Sequence, residues 1–246
     1  MRKRKIIKSK NMTEIYDSLF IRSYQGTGKK PRLPKRKPTA EEVKKNNLRM
    51  AKAKLRMLID NNFREDDYYL TLTFKMELAP EESKKAIQKF VRDLRKQYKK
   101  AEKELKYIYI AEEKGRLHFH MLVNREIELT TAMMRKLWPY GFTEIKYYRG
   151  AAEDAIKMAE YFTKERTINE DEKNEPRVFK RTWVKSNNVQ PPEAKVKILK
   201  ATEWKREVNI PNGYYLDKDS YWEGINNAGY PFRFYRLIKI RGPMIE

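Results

Sequence analysis

The alternation of strand-like and helix-like segments between residues 66 and 165 constrains the fold more than any other feature. Short segments rich in aromatic and β-branched residues alternate with segments whose apolar residues recur at helical spacing. The predicted strands are residues 68–74, 105–111, 117–124 and 142–148, and the predicted helices begin at Pro80 and span residues 130–138 and 151–164. A tight turn containing Gly115 joins the second and third strands as a hairpin. The order β-α-β-β-α-β-α predicts an α+β fold with a mainly antiparallel sheet.

The segments on either side of this core are interpreted from their composition. Six of the first ten residues are Lys or Arg, and prolines and basic residues recur up to residue 38, so residues 1–38 are expected to form a poorly ordered basic arm. Residues 39–165 are expected to form the core, which opens with a capped helix. Residues 166–246 are basic and aromatic, with a charged, loop-like start and a predicted strand at 234–240. This C-terminal extension is expected to dock on the core.

The charge balance narrows the class of partner. The chain carries 56 Lys and Arg residues against 34 Asp and Glu residues, a formal net charge of +22. Such a surplus favours a polyanion through counterion release, but it does not distinguish DNA from RNA or an anionic membrane surface. The absence of cysteine excludes disulfide bonds, thiolate zinc sites and a thiol nucleophile. Without an apolar run of membrane-spanning length or a secretory signal, the chain is expected to be a soluble, cytoplasmic protein, bacterial or encoded by a mobile element.

The two histidines of the chain stand in one motif, His118-Phe119-His120, on a predicted strand. Residues i and i+2 of a strand project from the same face, so the two imidazoles lie side by side and can chelate one divalent ion. Phe119 then faces the opposite side of the sheet. A single H-x-H motif is often incidental, but this one contains both histidines and lies beside a turn with carboxylates, which favours metal binding.

A third ligand is expected from a carboxylate at the end of the neighbouring strand, because oxygen ligands hold Mg²⁺ or Mn²⁺. Glu112 and Glu113 both stand at that end. A two-residue turn would direct Glu113 toward the histidines, whereas a three-residue turn would direct Glu112 there. The residues themselves leave this choice open.

Tyr161 is one of sixteen tyrosines, so its position is more informative than its type. On the predicted helix 151–164 it lies off the apolar stripe, with Lys157 and Lys164 about one turn away on either side. Nearby ammonium groups favour the phenolate and can bind a phosphate, which makes Tyr161 a candidate nucleophile. A surface tyrosine that covers lysine side chains explains the helix equally well. The histidine pair favours the nucleophile.

Three segments resemble the three motifs of rolling-circle replication initiators of the HUH endonuclease superfamily. They are YYLTLTF (68–74), LHFHMLV (117–123) and EYFTK (160–164). The resemblance covers about residues 66–165, and residues 177–192 resemble the basic segment that follows the tyrosine helix in phage and plasmid initiators. It implies an α+β fold in which helices flank a central five-stranded antiparallel sheet with an RRM-like βαββαβ core.

The resemblance also implies roles for individual residues. His118, His120 and an acidic residue would hold Mg²⁺ or Mn²⁺, and the acidic ligand of the family closes the strand before the histidine strand, which corresponds to Glu112. Tyr161 would be the nucleophile. Lys157 stands where some phage initiators carry a second tyrosine, so the chain resembles the single-tyrosine class. No G-x-x-x-x-G-K-[ST] motif is present in the sequence, so the helicase domain of some viral initiators is not expected.

These features together predict a metal-dependent enzyme that nicks and rejoins single-stranded or hairpin origin DNA and starts rolling-circle replication of a plasmid, phage or mobile element. Tyr161 would form a 5′-phosphotyrosine, and Lys164 would stabilise charge on the phenolate or phosphate. The residues expected to contact DNA are Lys157, Arg116, Arg181 and Lys185. A host helicase and a host polymerase are expected partners.

Two kinds of alternative share some of these features. A single-strand transposase or a relaxase of the same superfamily would use the same chemistry, although relaxases carry their tyrosine near the N-terminus. A non-catalytic basic module would instead stack bases on strand tyrosines such as Tyr68, Tyr107 or Tyr109 and would not need a metal.

Overall fold

A computed structural model describes residues 1–19, 37–113, 116–168, 179, 183–200, 207–225 and 230–241. The elements in chain order are β1 (Arg2–Lys8), β2 (Met12–Leu19), α1 (Ala40–Asn62), β3 (Tyr68–Phe74), α2 (Pro80–Lys100), β4 (Tyr107–Glu112), β5 (His118–Val123), α3 (Thr131–Leu137), β6 (Gly141–Tyr147), α4 (Ala152–Ile168), β7 (Val184–Lys185), β8 (Ala194–Leu199), β9 (Tyr214–Ile225) and β10 (Pro231–Lys239). They form two compact units, one of residues 50–191 and one of residues 1–49 with 192–246.

The unit of residues 50–191 contains a five-stranded antiparallel sheet in the order β6-β3-β5-β4-β7. Four of its strands and the helices between them follow the predicted order, so the α+β fold with a five-stranded antiparallel sheet is confirmed. The fifth strand, β7, lies in a segment that was expected to be a loop. It pairs with β4 through Lys185 and Val184, which lie opposite Ile108 and Tyr109.

One face of this sheet carries the hydrophobic core. Strand β3 alternates fully buried and half-buried residues, which is the period of two that a strand with one core face requires. The apolar stripe of α2 packs on that face together with α3 and Trp138. Burial of each large side chain in this cluster stabilises the fold by about 1.5–3 kcal/mol. The core contributors are Tyr68, Leu70, Leu72, Phe74, Ile87, Phe90, Leu94, Tyr98, Phe119, Met121 and Trp138.

The unit of residues 1–49 and 192–246 contains a second five-stranded antiparallel sheet, in the order β8-β1-β2-β10-β9. Its core is small, with Ile15, Tyr235 and Leu237 fully buried. Beside this core the carboxylate of Asp17 accepts hydrogen bonds from Arg4 at 2.7 and 2.8 Å and from Arg233 at 3.2 Å. Two arginines therefore compensate the charge of a carboxylate that has almost no contact with solvent.

The expectation of a poorly ordered arm over residues 1–38 is wrong for residues 2–8 and 12–19, which are paired strands, while residues 20–36 lie outside the described part. The loop-like interpretation of residues 166–200 is likewise wrong for β7 and β8. The reason is that β1 and β2 pair with β8 and β10, whose residues come much later in the chain. Composition does not report such long-range pairing. Docking of residues 166–246 on the core stays a prediction.

Candidate metal centre and nucleophile

Strand β5 presents both histidines on the face of the first sheet that is opposite its core. Phe119, between them, is fully buried in the core, while His118 and His120 project the other way. The two imidazole rings lie 4.8 Å apart, centroid to centroid, in an edge-to-face arrangement. The predicted side-by-side placement of the pair is therefore confirmed.

Glu112 closes β4 directly opposite His118 in the strand register. Its Oε2 atom lies 3.2 Å from Nε2 of His118 and 3.2 Å from Nε2 of His120. The ligand atoms of Glu112, His118 and His120 all lie within 4.8 Å of one another. Two imidazole nitrogens and a carboxylate oxygen at this spacing form a donor set that fits one divalent cation.

The choice between the two adjacent glutamates is decided by the hairpin. Pairing stops at Glu112 and His118, so residues 113–117 form the connection, of which 114 and 115 lie outside the described part. The connection is longer than the two or three residues considered, but its register is the one that directs Glu112 inward. Glu113 is used elsewhere, since its Oε1 accepts a 2.9 Å hydrogen bond from the backbone N–H of Phe179.

The other nitrogen of each imidazole is held by the protein. Nδ1 of His118 donates to the carbonyl oxygen of Arg116 at 2.8 Å, and because a carbonyl only accepts, Nε2 keeps its lone pair. Nδ1 of His120 lies 3.4 Å from Oγ1 of Thr71, its cross-strand neighbour on β3. Tyr69 stacks on His120 with ring centroids 5.6 Å apart and planes inclined by 20°. These contacts orient both Nε2 atoms toward Glu112, as partners of metal-bound histidines do.

Helix α4 brings Tyr161 to the same three residues. Its hydroxyl donates a 2.5 Å hydrogen bond to Oε2 of Glu112 and lies 3.1 Å from Nε2 of His120. The Tyr161 ring meets the His120 ring edge-on at 5.4 Å. Phe162 is buried on the apolar stripe of the helix, whereas Tyr161 remains 40% exposed. A hydroxyl that faces both a cation site and solvent is accessible to an incoming phosphodiester.

The electrostatics of the centre favour the metal-binding protonation states. Partial burial would raise the pKa of Glu112, but the hydrogen bond from Tyr161 and the two nearby histidines outweigh it, and the pKa lies below its ordinary value. Burial and the neighbouring His118 lower the pKa of His120 against the opposing effect of Glu112. A carboxylate and neutral imidazoles are the forms that bind a cation.

The other predicted site residues are distributed more widely. Lys157 and Lys164 are both exposed on α4, and Arg116 is exposed beside His118. Lys185 donates hydrogen bonds to the carbonyl oxygens of Ser186 at 3.4 Å and Val189 at 2.7 Å, so its ammonium group already has partners within its own turn. Arg181 lies outside the described residues. The DNA-binding and charge-stabilising roles of these residues stay predictions.

Three residues near the centre were not singled out from the sequence. Tyr69 and Thr71 stand on β3, and Glu144 stands on β6 opposite Thr71. Glu144 raises the pKa of Tyr69, after burial and Glu112. The alternation in the segment YYLTLTF indicates that Tyr69 and Thr71 share a face, but it does not reveal that this face meets His120.

Comparison with known proteins identifies one relationship. Residues 67–166 match a family model of replication-associated proteins of the ORF2 type, and the matched segment contains Glu112, both histidines and Tyr161. This similarity supports a role as a replication initiator. Searches of curated proteins and of solved structures find no match. No helix in the described ranges is both long and apolar enough to cross a membrane.

Proposed function

We propose that this chain is a replication initiator that nicks and rejoins single-stranded origin DNA through a covalent 5′-phosphotyrosine at Tyr161. The observation that carries the proposal is the contact of one hydroxyl with two metal-type ligands: Tyr161 touches Glu112 at 2.5 Å and His120 at 3.1 Å. Helix α4 and the β4–β5 hairpin supply these groups from positions about 40 to 50 residues apart. A surface tyrosine has no reason to reach this donor set.

Glu112, His118 and His120 would hold Mn²⁺ or Mg²⁺. When bound there, the cation supplies Lewis acidity, which polarises a phosphate oxygen and favours an alkoxide leaving group. The residues of the chain orient the reactants. Arg116 and Thr71 hold the two imidazoles in place, and Tyr161 sits at hydrogen-bond distance from the centre.

The covalent step follows from the position of the Tyr161 hydroxyl. Its oxygen attacks the phosphorus of the scissile phosphodiester, a phosphotyrosine bond forms, and the bond to the 3′-oxygen breaks. The phenolic proton is already directed at Oε2 of Glu112, and the leaving oxygen takes a proton to become a 3′-OH. Attack by a 3′-OH on the phosphotyrosine reverses the step and rejoins the strand. The exposed lysines of α4, Lys157 and Lys164, would contact the phosphate backbone.

The free 3′-OH gives the reaction its purpose in replication. A polymerase extends a 3′-OH, so a nick of this polarity starts rolling-circle synthesis on a plasmid, phage or mobile element. A host helicase and a host polymerase would be the partners of this step. The excess of positive charge, +22 over the whole chain, favours DNA capture before the chemistry.

The test uses the polarity of the covalent bond. The full-length protein is incubated with Mn²⁺ and a random-sequence pool of single-stranded oligonucleotides labelled at either the 3′ or the 5′ end. The 3′ label should appear on a protein band that survives denaturation, while the 5′ label should appear on shorter fragments that a polymerase extends. Sequencing of the attached oligonucleotides then identifies the nick site.

Two controls make the outcome decisive. Tyr161→Phe should form no adduct, while its affinity for the pool should stay within about twofold of the wild type, because only the nucleophilic oxygen is removed. EDTA should also prevent the adduct. An adduct in Tyr161→Phe would refute this nucleophile. Wild-type protein that binds the pool but forms no adduct with Mn²⁺ or Mg²⁺ would be a non-catalytic nucleic-acid-binding protein.

A further inference from the structure

The second sheet carries a row of aromatic side chains on one face. Lys5 of β1 lies opposite Tyr16 of β2, Tyr16 lies opposite Phe234 of β10, and Phe234 lies opposite Trp222 of β9. Directly paired residues of antiparallel strands project from the same face of the sheet. Three adjacent strands therefore present three aromatic rings side by side, with a lysine at the end of the row.

A second row runs parallel to the first. Lys3 lies opposite Ser18, and Ser18 lies opposite Phe232, whose partner on β9 is Gly224. The glycine makes room for the neighbouring ring, since a Cβ atom there would lie 3.1 Å from two ring atoms of Phe232. Tyr16, Trp222, Phe232, Phe234, Lys3 and Lys5 are called the aromatic face below.

The rings of this face are packed against one another but remain accessible. Tyr16 and Phe234 have centroids 4.6 Å apart, and Trp222 and Phe232 have centroids 4.7 Å apart. Trp222 is 46% exposed, although an indole is among the side chains that gain most from burial. The guanidinium of Arg49 lies 4.5 Å from the centroid of the Trp222 ring. The Trp222 indole is thus preorganised and cation-capped but still partly open to solvent.

The charges of this face favour an anionic partner. Lys3 and Lys5 are exposed beside the rings. The carboxylates on the same face are compensated within the sheet, since Arg236 pairs with Glu14 at 3.4 Å and with Asp217 at 2.6 Å. Cations next to open aromatic rings on a sheet are the combination that binds single-stranded nucleic acids, with bases stacked on the rings and phosphates near the cations.

We infer that the aromatic face binds single-stranded DNA, separately from the metal centre. The choice of DNA as the ligand rests on the proposed function, but the surface itself does not depend on nicking. Stacking on aromatic rings is tolerant of sequence, because every base has a π face. This face would hold unpaired DNA without reading its sequence.

The test is equilibrium binding of fluorescent dT30 to full-length protein in EDTA, where no metal-dependent nicking occurs. Lys3→Ala/Lys5→Ala should weaken binding and lower the slope of log affinity against log salt by about 1.4, from about 0.7 for each lost phosphate contact. The matched control is Lys195→Ala/Lys197→Ala. These exposed lysines of β8 lie opposite Ile6 and Arg4 and so project from the other face of the same sheet. The control should change the slope by less than half of that amount.

Stacking is tested at Trp222. Trp222→Ala should weaken dT30 binding about tenfold, whereas Trp222→Phe should retain affinity within about threefold, because a phenyl ring still stacks. Binding of dT30 should quench indole fluorescence in the wild type, and Trp222→Phe should lose most of that quenching. Circular dichroism identifies any variant that fails to fold, and the Phe variant then carries the test.

Several outcomes would overturn the inference. They are equal effects of the two double-lysine variants, unchanged affinity in Trp222→Ala, or tighter binding of U30 than of dT30. A dimer that Trp222→Ala dissociates, with dT30 affinity unchanged, would mean that a second copy of the chain covers this face. The proposed function is judged independently, because Trp222 variants should still form the covalent adduct with saturating oligonucleotide. Loss of the adduct in the wild type would leave the binding result intact.

Discussion

The hydroxyl of Tyr161 donates a 2.5 Å hydrogen bond to Oε2 of Glu112, the oxygen that also lies 3.2 Å from Nε2 of His118 and of His120. The candidate nucleophile and the candidate acidic ligand therefore share one atom. A cation bound to that oxygen competes with the phenolic proton for its lone pairs. Metal binding and release of the Tyr161 hydroxyl are thus coupled through Glu112.

This coupling predicts the effect of Tyr161→Phe on metal affinity. Removal of the hydroxyl leaves Oε2 of Glu112 without a competing donor, so Mn²⁺ should bind equally well or up to about tenfold more tightly, given a net hydrogen-bond contribution of about 0.5–1.5 kcal/mol. Isothermal titration calorimetry with Mn²⁺ measures the change. Weaker binding by the variant would mean that the Tyr161 oxygen itself is a ligand.

The two adjacent glutamates provide a matched pair of variants. Glu112→Gln should weaken Mn²⁺ binding at least about tenfold, because a neutral amide replaces the anionic ligand. Glu113→Gln should stay within about twofold of the wild type, since its amide oxygen can still accept the hydrogen bond from the Phe179 N–H. Electron paramagnetic resonance of free Mn²⁺ gives both affinities. The reverse ranking of the two variants would exchange their roles.

Thr71 is expected to orient a ligand rather than bind the metal. Its Oγ1 lies 3.4 Å from Nδ1 of His120, so Thr71→Val should weaken Mn²⁺ binding about tenfold, at the lower end of the effect of such orienting groups. Thr73→Val is the control, one residue pair along the same face of β3, and its effect should be smaller than twofold. If both variants bind like the wild type, His120 is held by packing alone.

Asp17 predicts a pH dependence of stability. Burial raises the pKa of Asp17, but hydrogen bonds from Arg4 and Arg233 lower it further, so the folded pKa lies below the ordinary value. A carboxyl group of this kind adds stability above its unfolded pKa, near 3.9, and loses it as the pH falls through its folded pKa. Asp17→Asn should cost about 3 kcal/mol at pH 7, because two arginines lose a buried partner.

Urea denaturation at pH 7 and at pH values below 4 measures this dependence. The difference between Asp17→Asn and the wild type should shrink as the pH falls, since protonated Asp17 is also neutral. The exposed residue Asp219 provides the control, and Asp219→Asn should change stability by less than about 0.5 kcal/mol at either pH. A cost of Asp17→Asn that stays constant with pH would contradict the ion-pair explanation.

Gly141 begins β6 at a point of close backbone contact. A Cβ atom there would lie 2.1 Å from the carbonyl oxygen of Thr73, so Gly141→Ala must displace the backbone of β3 or β6. We expect a loss of about 1–3 kcal/mol in urea denaturation, the range for overpacked sites. Gly213→Ala has open space around it but a φ of 79°, and it should cost about 1–2 kcal/mol. A neutral Gly141→Ala would show that the two strands separate easily.

The local parts of the centre follow from sequence periodicity. The spacing of His118 and His120 places both on one face, because side chains alternate along any strand. The apolar stripe of α4 leaves Tyr161 off the core for a similar reason. The choice between Glu112 and Glu113 does not follow from periodicity, since it depends on the strand register across a connection whose length the residues do not reveal.

The sequence by itself determined the α+β core, the shared face of the histidines and the identity of the candidate nucleophile. Only the tertiary structure decided that Glu112 rather than Glu113 meets the histidines, that Thr71 and Tyr69 support His120, and that residues 2–8 and 12–19 are strands of a second sheet. The physical reason is the range of the interactions. Periodicity reports which face a side chain takes, whereas pairing of β1 with β8 and contact of Tyr161 with Glu112 depend on residues far away in the chain.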